Sequence, residues 1–226
     1  TLPANTGISL HPEEKYVLTT DGYIVAKALF ESLLELGVVK GEIAKEVDSK
    51  VLENHVAVNP LNGRTSKIIL GDHVLMDSGT GGVHTAPGHG EDDYRVGLKY
   101  DLEVVMPVDE TGCYDETIVK EKLLPNPEEF VGQLIFKCND RILELLGDAL
   151  LYDSKFTHSY PHCWRSHTPL IFRATKQWFI SVDEKPEGED KTLRNIALSE
   201  VEKTLFMPET GRNRLKSMVE NRPDWC

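Results

Sequence analysis

The chain has 226 residues, 40% of them hydrophobic, and a formal net charge of −12. That length buries a core of ordinary size. No apolar run approaches the roughly 20 residues of a membrane span, and the N-terminus lacks the basic-then-apolar layout of a signal peptide. The acidity argues against a protein that holds nucleic acid mainly through phosphates. Cys113, Cys138, Cys163 and Cys226 form no paired motif, which argues against a disulfide framework or a self-contained zinc site. A soluble, cytoplasmic protein with reduced thiols is expected.

In chain order, Ile8–Leu10 and Tyr16–Leu18 read as short strands. A helix is predicted from about Gly22, where Ile24, Leu29, Phe30, Leu33, Leu34 and Leu36 give an apolar stripe that Gly37 stops. Glu42–Val47, His55–Val58 and Lys67–Leu70 read as strands, and the NPLNGR stretch at Asn59–Arg64 reads as a turn between two of them. Val104–Val108 is a further predicted strand, 109–115 a polar loop and Asn139–Leu146 a helix. After Leu150 come a strand into Tyr160, another over Leu170–Ile180, a charged loop at Lys185–Lys191 and two helices. Periodicity supports mixed α and β and no more.

The densest stretch is Gly79–Tyr94, GTGGVHTAPGHGEDDY. Gly79, Gly81 and Gly82 permit sharp turning or close backbone approach, Val83 and His84 read as the end of a strand, and Pro87 delays any helix. Glu91, Asp92 and Asp93 then suit the first turn of a helix through Tyr100, because helix N-termini favour negative charge. Strand, glycine corner and helix start place His84 and Asp93 near one rim.

This segment resembles the signature of the editing domain inserted in isoleucyl-tRNA synthetases, a module shared with the valyl and leucyl enzymes. TLPAN at Thr1–Asn5, HSYPHCWR at His158–Arg165, TPLIFRATKQWF at Thr168–Phe179 and NRPDWC at Asn221–Cys226 are similar to the same family and occur in its order. The resemblance implies one editing domain over 1–226, a fragment of a larger synthetase, with 158–226 as the return segment toward the catalytic core. The implied fold is α+β, built round a β-barrel-like centre with flanking helices. A family threonine-rich strand stands just before TLPAN, and the chain begins at Thr1, so the resemblance implies a site short of one wall and a fragment of weak activity.

The implied activity is hydrolysis of valyl-tRNA(Ile). Isoleucine and valine differ by one methylene, worth about 1–3 kcal/mol in an apolar pocket, a general limit for which this synthetase is the standard illustration. A second site must reject the wrong product. The resemblance makes Asp93 the anchor of the substrate ammonium and His84 a wall that restricts side-chain size. It places Thr85, Gly88 and His89 along the turn, and Asn5 and Tyr160 where they contact the terminal adenosine or shape the pocket. Read from the residues alone, Asp93 serves equally well as a helix-dipole partner beside Glu91 and Asp92, and His84 as a strand histidine.

The implied partners are the tRNA(Ile) 3′ end carrying valine and the remainder of the synthetase, with no membrane. Arg165, Lys176, Arg212, Arg214, Lys216 and Arg222 are the local cations available to RNA, or else scattered solvated charges. No cofactor is expected in this fragment; ATP and Mg belong to the full-length enzyme. No metal is expected either. His84, His89, Asp92 and Asp93 lack a tight ligand pair, and near His158, His162, Cys163 and His167 this chain has Ser166 where relatives often carry a cysteine. The rival reading is a non-catalytic RNA-docking or structural insertion.

Overall fold

A computed structural model describes residues 1–155 and 157–226. The chain forms two compact units, Thr1–Ala174 and Thr175–Cys226. The first holds the sheets. β1 (Gly7–Leu10), β2 (Lys15–Thr19), β3 (Ile24–Ala26), β4 (Ile43–Asp48), β5 (Val56–Val58), β6 (Thr65–Leu70) and β7 (Gly82–Thr85) divide between a four-stranded sheet, β5-β6-β1-β7, and a three-stranded sheet, β3-β2-β4. The α+β class holds, with the strands in two sheets whose hydrogen-bond order has open ends. In the larger sheet β1 runs parallel to β6 and antiparallel to β7, which sets Ile8 opposite His84 and Gly7 opposite Thr85.

The helix predicted from Gly22 is a correction. Gly22 has φ +92° and turns the chain back, and the Thr19 hydroxyl accepts the Tyr23 N–H at 3.0 Å. Ile24–Ala26 therefore pairs with Tyr16–Leu18 as the second strand of a hairpin. Its apolar residues serve a strand, and the helix proper, α1, starts only at Phe30 and runs to Glu35. Gly37 ends it with φ +70°, as the sequence predicts. Tyr16, Val17, Val25, Leu29 and Phe30 are buried together in the core of this half of the unit.

A short helix, α2 (Ser49–Leu52), starts where the Asp48 carboxylate accepts the Lys50 N–H at 3.0 Å. Helix α3 (Glu91–Lys99) follows the glycine corner as predicted, with three acids in its first turn. α4 (Thr117–Lys120) and α5 (Asn139–Leu146) bring Ile118 and Ile142 to a second apolar cluster, with Leu123 and Phe130 from the chain between them. The predicted strand Val104–Val108 is absent; only Val108 pairs, in a single bridge to Tyr114, and Pro107 has no N–H to extend a ladder. The predicted strand Leu170–Ile180 reduces likewise to bridges at either end, at Pro169 and at Ile180. The strand predicted into Tyr160 crosses Phe156, outside the described residues, and the described part forms no ladder.

In the second unit α6 (Leu193–Lys203) is capped by Thr192, whose hydroxyl accepts the Asn195 N–H at 3.1 Å, and is followed by α7 (Thr210–Glu220). Arg194 ties the two. Its guanidinium forks onto Asp183 at 2.6 and 2.8 Å and donates to the carbonyls of Val219, Glu220 and Arg222, at and just beyond the end of α7. All four cysteines are free.

Candidate functional site

Strand alternation sorts the predicted residues before any chemistry does. Consecutive residues of β7 face opposite sides of the sheet. His84 shares a face with Ile8 and Gly82, and these line a mostly apolar cavity of about 270 Å³ together with Asn5, Val58 and Leu61. Thr85 faces the other way. It is 0% exposed, and its hydroxyl lies 2.7 Å from that of Ser9. Its N–H donates to Asn5 Oδ1 at 3.0 Å, and Asn5 Nδ2 donates to the Ser66 hydroxyl at 2.6 Å. Asn5 thus stands on the cavity wall while pinning the end of β7 to β6.

His84 is held neutral: burial lowers its pKa, more than the nearby Asp93 carboxylate raises it. Its Nε2 lies 3.1 Å from the Thr1 hydroxyl, and its buried Nδ1 has no hydrogen-bond partner among the described residues. Asp93, partly buried in the first turn of α3, accepts the Ala86 N–H through Oδ2 at 3.0 Å. That bond closes the corner from β7 to α3. Asp92, one residue earlier and so about 100° round the helix, is exposed and lines a separate, charged cavity with Arg95, Lys99 and His73.

Gly88 is buried, and a Cβ there would sit 2.7 Å from the Val105 carbonyl oxygen, so the turn needs glycine for close approach. His89 and Tyr160 belong to a second, smaller cavity of about 150 Å³, shared with Tyr114, Asn139 and Phe172. His89 Nδ1–H donates to the Phe172 carbonyl at 3.2 Å, and its buried Nε2 has no partner among the described residues. Burial pushes its pKa down to about 4 against the opposing pull of that carbonyl. The Tyr160 hydroxyl donates to the Leu170 carbonyl at 2.9 Å. The structure therefore groups Asn5 with His84 and His89 with Tyr160, and leaves the Thr85 side chain in neither cavity.

Sequence reading missed Ser9 and Ser66, lone serines in strands, and the apolar wall from β5 and the Asn59 turn. The signal lay in the NPLNGR stretch: Asn59 and Asn62 donate to the carbonyls of Leu2 and Pro3, holding the TLPAN segment against the sheet. Among the described residues no three His, Cys, Asp or Glu side chains converge as a metal-binding group.

The family model for tRNA synthetases class I (I, L, M and V) matches residues 14–226. The chain belongs to the class I tRNA synthetases. This synthetase segment is 73% identical over its whole length to the isoleucine–tRNA ligase of Sulfurimonas denitrificans, 69% to that of Nitratiruptor sp. and 65% to that of Aliarcobacter butzleri. It spans about a quarter of the length of these synthetases: 25%, 24% and 25% respectively. A solved structure described as "The crystal structure of GlLeuRS-CP1" matches with a TM-score of 0.49 and 15% identity, over 70% of this segment and 80% of that chain.

Proposed function

We propose that the segment is the editing domain of an isoleucine–tRNA ligase and hydrolyses the ester of valyl-tRNA(Ile). The observation that carries this reading is the apolar cavity with the neutral His84 and Asn5 on its wall, beside a helix start that presents Asp93. A small aliphatic side chain suits such a cavity. An ammonium about 4 Å from the Asp93 carboxylate gains roughly 4 kcal/mol at an effective dielectric near 20, enough to orient an aminoacyl group. Neutral His84 bounds the cavity without repelling that ammonium. Water adds to the ester carbonyl, the bond to the ribose oxygen breaks, and valine leaves with the tRNA hydroxyl restored. An ester already activated needs positioning and oxyanion donors more than a nucleophile. The remainder of the ligase, working in the cytoplasm with ATP and Mg, supplies aminoacylation.

The test separates anchoring from scaffolding at Asp93. Asp93→Asn keeps an acceptor for the Ala86 N–H and removes the charge, so the corner persists while the ammonium loses its partner. Deacylation of valyl-tRNA(Ile) by the full synthetase is expected to fall at least 100-fold, with isoleucine activation intact and Asp92→Asn close to the parent. Equal losses in the two variants would remove Asp93 from the site.

A further inference from the structure

From residue 154 to residue 182 the chain has no Asp or Glu, in a protein of net charge −12. The same stretch carries Lys155, Arg165, Arg173 and Lys176, three histidines, and aromatic residues between them. Within the first unit this composition has a definite shape. Leu170 N–H donates to the Pro161 carbonyl at 3.0 Å and Cys163 N–H to that of Thr168 at 2.9 Å, with His162 bridged to Pro169, so residues 160–170 form a small hairpin.

The base of the hairpin adjoins the smaller cavity, where the Tyr160 ring stands beside His89 and Phe172. Along its outgoing strand the rings of His158, Tyr160 and His162 follow one another edge to face, with centroids 6.0 and 6.1 Å apart. At its tip Trp164 is 77% exposed, and the Arg165 guanidinium carbon lies 4.6 Å from the centre of its ring. Trp164 lies four residue steps beyond Tyr160, a span of about 13 Å for an extended chain. Exposed planar rings, a cation stacked on one of them and local freedom from acids are what a single-stranded polyanion with flat bases requires.

We propose that this hairpin is a track for single-stranded RNA, with Trp164 and Arg165 as a stacking platform at its tip and Tyr160 at the mouth of the cavity. The choice of RNA, a tRNA 3′ end, rests on the editing reading; the affinity for single strands rests on the hairpin alone. Trp164 and Arg165 position the strand and take no part in the hydrolysis. Charge complementarity favours RNA over a protein partner, because the rest of the chain is acidic enough to repel a polyanion from most other faces.

A dye-labelled single-stranded RNA ending in 3′-ACCA, titrated by fluorescence anisotropy, measures the track directly. Trp164→Ala is expected to weaken binding about 10-fold and Trp164→Phe to recover most of it, since any aromatic face stacks a base. Arg165→Gln is expected to flatten the slope of log affinity against log salt by about 0.7, one phosphate contact on a single strand. Identical affinities for the parent and Trp164→Ala, or no saturable binding by the parent, would overturn the proposal and leave the exposed rings to a protein contact. Weakened RNA binding in Trp164→Ala alongside no deacylation of valyl-tRNA(Ile) by the parent synthetase would keep the track and sink the editing reading. Unchanged RNA binding alongside an inactive Asp93→Asn would do the reverse.

Discussion

His89 shows how one side chain couples the site to stability. Its folded-state pKa of about 4 lies below the 6.5 of a free imidazole, so between these values the unfolded chain binds the extra proton. Stability contributed by neutral His89 is therefore complete above about pH 6.5 and is lost as pH falls toward 4, to a limit of order 3 kcal/mol. Lowered His84 acts with the same sign. His89→Asn keeps a donor for the Phe172 carbonyl and removes the titration. Urea unfolding between pH 4 and 7 is expected to show a shallower loss of stability in the variant; parallel curves would mean that His89 binds its proton equally in the folded and unfolded chain.

At the scale of elements, Tyr16 joins the two sheets. Its hydroxyl donates to the Gly81 carbonyl at 2.7 Å and accepts the His11 N–H at 2.9 Å, with the side chain fully buried on β2. Ala26 N–H donates to the Thr80 carbonyl at 2.8 Å beside it, so the segment leading into β7 is docked on β2 and β3. Tyr16→Phe orphans a buried carbonyl and an N–H and is expected to cost about 1–3 kcal/mol. In a domain of this size that lowers Tm by several degrees, and a melt matching the parent would show that water or a shifted backbone replaces the hydroxyl. The residues around this joint were unequally legible. Helix α3 could be read from Glu91–Asp93 because macrodipole and acids act within one turn. The hairpin at Gly22 could not, because an apolar stripe has the same composition whether it turns as a strand or a helix, and partner strands decide. Val104–Val108 misled for the opposite reason: Val105 and Val108 are buried, but no neighbouring strand pairs with the stretch as a ladder.

Across the whole molecule the buried apolar residues are shared unevenly. Both core clusters lie within Thr1–Ala174, and the second unit contributes only Val182 and Val201 to the buried hydrophobic set. A chain ending at Ala174 is expected to retain a cooperative melt by circular dichroism, and residues 175–226 alone are expected to show none, since a core that small cannot offset the chain entropy of its residues. A cooperative melt of the shorter piece would locate its stability in the Arg194 network instead. The sequence by itself determined the family, through motifs in register from TLPAN to NRPDWC, and the strand, corner and helix that carry His84 and Asp93, because turn chemistry and helix capping act over a few residues. Only the tertiary structure decided that His84 and Thr85 face opposite sides of a sheet, that Asn5 reaches Ser66, and that Tyr160 joins His89 in a separate cavity. Those relations depend on strand register and on contacts between residues far apart in the chain, which no local pattern encodes.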